Sequence, residues 1–246
     1  MPKRKILMVL PVPLSAEALS EFSGHIPPEL LRDDIEIDFR AASRGGRILD
    51  SYYETCLADA FVVEAAMKAE EEGYSAVCIN SMSDSGLNAL RSVLTIPVVG
   101  PGQASMLMAS SLGNKFSVLT MWDRWEILYK KTIDELGISH RLASIRSIGV
   151  RPDAEELLSG KEEVVFSALL EKAKLAIEAD RADVLILGST TMHQSHEFLQ
   201  SELPVPVINP GHAALKMCEV YMDMHLSHSK LAYRHPEHHD ISVFDG

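Results

Sequence analysis

The stretch Val184-Leu185-Ile186-Leu187-Gly188-Ser189-Thr190-Thr191-Met192-His193-Gln194 decides the fold. Four apolar residues run without alternation, as in a parallel strand covered on both faces, and then give way to small hydroxyl residues and a histidine. An earlier stretch is its twin: Ala76-Val77-Cys78-Ile79-Asn80-Ser81-Met82-Ser83-Asp84-Ser85-Gly86. Each leads through a helix-like segment to an apolar strand containing proline and ending in Pro-Gly, at residues 96–102 and 205–211. The serines stand 108 positions apart and the Pro-Gly pairs 109. One unit is therefore written twice, with Ser81 and Ser189 in equivalent places.

With 246 residues, 46% of them hydrophobic, the chain can bury a full core as one large domain or two small lobes. A net charge of -12 excludes a phosphate-backbone partner, so no nucleic acid is expected. No apolar run approaches the ~20 residues that span a bilayer, so no membrane is expected either. Met1-Pro2-Lys3-Arg4-Lys5 and the apolar run 6–10 resemble a secretion signal only in outline. The run stops at Pro11 without a cleavage site and reads as a first strand. Cys56, Cys78 and Cys218 are odd in number and lack metal-ligand spacing. They read as small hydrophobes in a reducing cytoplasm.

In chain order, Ser15 caps a helix to about Phe22, and residues 35–39 alternate as a second strand. Residues 41–53 form a long loop whose Arg44, Arg47, Tyr52 and Tyr53 are candidates for closing over a ligand, or simply an exposed polar loop. A helix over 54–72 carries Cys56, Ala60, Val63 and Met67 at helical spacing and stops at Gly73. After the first twin and a helix at 103–112, the pattern restarts. Strands are expected at 116–120 and 141–145, helices at 125–136 and 161–179, and a polar loop with a short helix at 152–160. The second twin and a final helix at about 212–225 complete it. Each half reads β-α-β-α-β-α-β-α. The expected fold is α/β: two pseudo-symmetric lobes, each a parallel sheet flanked by helices, with a cleft between them. Residues 1–112, joined by the helix at about 210–228, make the first lobe, and 113–209 make the second. Residues 229–246 are a tail, and the helix after each fourth strand crosses to the other lobe. Ligands of open α/β sheets sit beyond the carboxyl ends of strands, which puts Ser81 and Ser189 on opposite walls of one cleft.

Ser83-Asp84-Ser85-Gly86-Leu87, Pro97-Val98-Val99-Gly100, Phe116-Ser117-Val118-Leu119-Thr120 and Leu187-Gly188-Ser189-Thr190-Thr191-Met192, set in this duplication, resemble the aspartate/glutamate/hydantoin racemase superfamily. The resemblance spans nearly the whole chain. It implies a cofactor-independent enzyme that racemises or isomerises a small amino acid, hydantoin, or related carboxylate or cyclic amide. The usual members carry a cysteine in each lobe, where this chain has Ser81 and Ser189. One thiolate takes a proton from carbon and the other thiol returns one on the opposite face. The family's amino-terminal asparagine is also missing from the turn at 11–15. A hydantoin racemase-like subgroup carries hydroxyl residues at both sites. The change matters, because a free thiol ionises near pH ~8.5 and an alcohol does not ionise near neutrality.

Ser81, Ser189 and His193 are the candidate catalytic residues. The plain reading of the serines is as turn or cap residues, and that of the histidine is a half-exposed helix side chain. His193, four positions past Ser189, has the right chemistry for a general base or proton donor. Ser83, Asp84, Ser85, Thr120, Thr190 and Thr191 are candidates for substrate binding, with Asp84 equally readable as a charge at a helix start. His225, His228, His235, His238 and His239 have spacing that can bind metal, but they crowd a trailing segment and read as a solvated tail. No metal site is expected, and the chain is expected to form a homo-oligomer. Two other classes stay open: a hydrolase or lyase with a serine activated by His193, and a binding protein that has lost catalysis.

Overall fold

The unalternating apolar runs are strands buried on both faces. In β1 (Arg4–Leu10), Ile6 and Met8 face one core while Leu7 and Val9 face another. The computed structural model describes residues 3–23, 26–152, 163–238 and 244. The first half runs β1, α1 (Ala16–Ser23), β2 (Ile35–Ala41), α2 (Tyr52–Ala66), β3 (Ala76–Ile79), α3 (Leu87–Val93), β4 (Val98–Val99) and α4 (Pro101–Leu112). The second runs β5 (Phe116–Thr120), α5 (Glu126–Leu136), β6 (Leu142–Ser147), α6 (Glu163–Glu178), β7 (Val184–Leu187), α7 (His193–Glu202), β8 (Val207–Ile208) and α8 (Pro210–Asp223). Most of the polar loop expected at 152–160 lies outside the described residues. Two four-stranded sheets result, ordered β2-β1-β3-β4 and β6-β5-β7-β8, with every pairing parallel. The same order in both halves is the duplication expressed in three dimensions.

Three cores alternate with the two sheets. Val62, Ala66, Leu87 and Leu90 of α2 and α3 cover the outer face of the first sheet. Leu169, Ala173 and Leu199 of α6 and α7 cover that of the second. Between the sheets lies one shared core, drawn from the inner faces of both and from α4, α5 and α8. The helices that follow the last strands change sides. α4 packs on β5 and β7 of the second sheet, although its residues are counted in sequence with the first lobe, and α8 packs on β3, β4 and α4.

Three readings of the sequence need correction. In α2 it is Ala58, Val62 and Ala66 that turn onto the sheet. The stripe through Cys56 and Ala60 points outward, so Cys56 is exposed, and only Cys78 and Cys218 are buried. Helix α2 also ends at Ala66, and the chain reaches Gly73 through turns. The carboxy-terminal segment is not simply solvated. His228 Nε2 accepts from the Val98 amide at 2.9 Å. Lys230 Nζ donates to the last carbonyls of α3, among them Arg91 O at 2.6 Å, so its cation meets the negative helix end. Arg91 in turn stacks over the Tyr233 ring. His239 lies outside the described residues.

Candidate active site

Strands β3 and β7 end in the same turn. Ser81 Oγ accepts from the Ser83 amide at 3.3 Å and pairs with Ser83 Oγ at 2.9 Å. Ser189 Oγ accepts from the Thr191 amide at 3.2 Å and pairs with Thr191 Oγ1 at 2.8 Å. A hydroxyl that binds the backbone two residues on favours this turn over continued strand. The two turns meet across the lobes, where Thr190 Oγ1 donates to the Asn80 carbonyl at 3.4 Å.

Ser81, Ser189, Thr190, Thr191 and Asn80 line one cavity of about 130 Å³. The rest of its wall is mainly apolar, with Leu10, Val12, Phe22, Met82, Trp125 and Leu128 prominent. Arg47 is the one charged side chain among the described residues that line it. Gly188 also lines the cavity, and no other residue fits there. A Cβ at 188 would stand 2.6 Å from the Tyr129 hydroxyl and 2.8 Å from the Leu119 carbonyl. Tyr129 donates to the Gly188 carbonyl at 2.8 Å and pairs with Thr120 Oγ1 at 2.7 Å, fixing the backbone one residue before Ser189. Burial raises the Tyr129 pKa, so the phenol keeps the proton it donates. Nothing in the sequence marks Tyr129 beyond its place in an amphipathic helix.

The loop at 42–51 closes one side. Glu54 Oε2 accepts from three successive amides, Arg47, Ile48 and Leu49, at 2.9, 2.7 and 2.8 Å. Leu49 is held at φ 56°, the left-handed region that bulky residues avoid. From the second lobe, Trp125 Nε1 donates to the Ile48 carbonyl at 2.8 Å, and Arg124 pairs with Asp50 at 2.9 Å. Of the four loop residues singled out in the sequence, Arg47 reaches the cavity. Arg44 lies over Phe61, and Tyr52 and Tyr53 are exposed.

The other sequence candidates take different places. Ser83 and Ser85 are buried behind Ser81, continuing its hydroxyl chain at 2.8 Å. Thr120 is buried against Tyr129. Asp84 is buried outside the cavity, at the start of α4, where its two oxygens accept the Gly102 and Gln103 amides at 2.8 Å each. Burial pushes its pKa up to about 7, against the pull of those two amides. Cys218 sits beside Cys78, and that neighbour together with burial raises its thiol well above the usual range. Neither buried cysteine lines the cavity.

His193 lies one step behind, in a smaller cavity of about 20 Å³ lined also by Phe22, Asn80, Thr190, Asn209 and His212. Burial lowers its pKa, partly opposed by a hydrogen bond to the Thr191 backbone, so the ring is neutral near pH 7. His212 is lowered to about 4, first by burial and then by His196 and His193. Among the described residues, no three His, Cys, Asp or Glu side chains converge as metal ligands. No helix there is long and apolar enough to cross a membrane.

Residues 15–218 match the family model described as Asp/Glu/Hydantoin racemase. A hydantoin racemase of Pseudomonas sp. (strain NS671) is 32% identical over 228 residues, 92% of this chain and 90% of that one. Among solved structures, the allantoin racemase from Klebsiella pneumoniae superposes with a TM-score of 0.86 at 25% identity, covering 96% of this chain and 95% of that one. The allantoin racemase from Pseudomonas fluorescens gives 0.85 at 27% identity, with 96% and 98% covered.

Proposed function

The chain belongs to the Asp/Glu/hydantoin racemase family, and we propose that it inverts or isomerises a small cyclic amide or related carboxylate carrying an apolar substituent. The observation that carries this reading is the repeated hydroxyl turn. Ser81 and Ser189 leave equivalent strands in equivalent geometry and line one cavity. A carbon next to a carbonyl gives up its proton because the electron pair left behind spreads onto the oxygen. The carbon becomes planar, and a proton returned on the other face inverts it. Two groups on opposite walls suit that chemistry, and the resemblance implies that the family's usual members carry cysteines at these positions.

Hydroxyls change the balance of the work. Serine is a far weaker acid than a thiol and unaided is a poor proton carrier. In this reading Ser81 and Ser189 hold the substrate between them, Thr190 and Thr191 add donors, and Arg47 offsets developing negative charge. Ser83, Ser85 and Thr120 brace that donor set, and Asp84 holds the loop that carries Ser81 against α4. His193, neutral and separated from the cavity by Thr190, is the base that takes the proton from carbon, and the proton returned on the opposite face comes from solvent by way of the Ser81 hydroxyl. The apolar wall favours a hydrocarbon substituent over a ureido group.

Deuterium exchange at carbon tests the reading. The protein is incubated in deuterated water with 5-alkyl and 5-arylmethyl hydantoins, allantoin and free amino acids, and exchange is followed by NMR. The apolar hydantoins should exchange fastest. His193→Ala should slow exchange by roughly 10²–10⁴, while Ser81→Ala and Ser189→Ala should weaken binding and slow exchange together. No exchange with any of these compounds would overturn it.

A further inference from the structure

The two cavities share a wall made of Phe22, Asn80 and Thr190. On that wall Asn80 is only 7% exposed, and its Oδ1 is fully buried without a hydrogen-bond partner. In the lining of the same small cavity His212 Nε2 is likewise buried and unpartnered. Buried polar atoms are nearly always bonded, so two such atoms in one cavity mark a place where a ligand completes the set. Neither residue's backbone is free to move away. The Asn80 amide donates to the Val9 carbonyl at 2.8 Å. The His212 amide is held by Asn209 Oδ1 at 3.3 Å, in the first turn of α8.

We propose that Asn80 and His212 form a recognition subsite for the amide edge of the substrate. Asn80 Oδ1 accepts from a ring N–H, and His212, in its Nε2–H form, donates to the carbonyl beside it. The ligand class rests on the family reading above, whereas the unpartnered pair does not. A cavity of about 20 Å³ admits one polar group and not a ring. The ring itself therefore lies in the larger cavity between Ser81 and Ser189, and its edge reaches past Asn80 and Thr190. The lowered pKa of His212 supports a neutral ring, which carries one N–H and leaves no buried charge. Neither residue stood out in the sequence, since an asparagine after a strand and a histidine in a first helical turn are ordinary turn and surface choices.

The test is calorimetric titration of the intact chain with a 5-arylmethyl hydantoin and its two singly N-methylated forms. Methylating the recognised nitrogen should weaken binding by roughly 10–100-fold in the unaltered protein, because it removes the donor and leaves Asn80 Oδ1 buried and unpaired. In Asn80→Ala and in His212→Ala, each checked for folding by circular dichroism, that penalty should shrink to about threefold or less. The measurement on the unaltered protein stands even if a variant does not fold. Equal binding of all three compounds to it would overturn the subsite while leaving the family reading intact. A penalty that persists in both folded variants would overturn it too. If no hydantoin binds and no deuterium enters at carbon, both the subsite and the reading beneath it fall.

Discussion

At the scale of single residues, the site depends on a few buried polar groups that each do one task. Asp84 gives the clearest pH signature. Its folded pKa of about 7 lies above the ordinary 3.8, so the folded state holds the proton more tightly than the unfolded chain. Its contribution to stability is therefore full below pH 3.8 and is lost as pH rises through 7. His212 and His228, lowered to about 4, act in the opposite sense over the same range. The readout is therefore a difference between two melting profiles. Asp84→Asn cannot titrate, and it loses one of the two acceptors for the α4 amides. It should be the less stable protein at pH 5. That deficit should narrow by pH 8, by on the order of 3 kcal/mol. Parallel Tm profiles from pH 4 to 8 would contradict this account. The serines at 81 and 189 were legible as strand-end residues because the apolar runs before them have no other reading. Tyr129, Asn80 and His212 were not, because what distinguishes them is which distant backbone they face.

At the scale of elements, the loop over the cavity is organised by one carboxylate. Glu54, in the first turn of α2, collects three successive amides, and the chain between Arg47 and Leu49 curls around it. Replacing Glu54 with Gln keeps the size but removes the charge that strengthens all three bonds. Stability should fall by about 1–3 kcal/mol. Amide exchange across 46–50 should quicken, and KM should rise more than kcat falls, since the loop bounds the cavity and Arg47 rides on it. Unchanged exchange in that loop would show that Trp125 and Arg124 hold it alone. Strands and long helices were readable in advance, since burial on two faces or one leaves a period in the sequence. The loop was read only as a candidate cover. The inward face of α2 was only partly assigned: Val63 and Met67 pack against the core while Cys56 and Ala60 are exposed, because alanine and valine recur around much of that helix.

At the scale of the whole molecule, the exchanged helices α4 and α8 tie the halves together, and the central core draws on both sheets. Neither half can expose its inner face without the other losing its cover. Unfolding should therefore be a single transition. Both tryptophans, Trp122 and Trp125, lie in the second half. Their fluorescence should report the same midpoint as far-ultraviolet circular dichroism, which sees both halves. Two separated midpoints would show lobes that unfold independently. The repeated hydroxyl turn at β3 and β7 has one further consequence. In the reading above the base, His193, stands on one side only, and the hydroxyl walls carry no strong acid–base group of their own. Ser81→Cys or Ser189→Cys alone adds a thiol to one wall. The two single variants should then exchange opposite enantiomers of one substrate faster in deuterated water, while the equilibrium mixture itself stays where it was, since a catalyst does not shift it. Equal rates for both enantiomers in both variants would show that the two walls do not flank the reacting carbon.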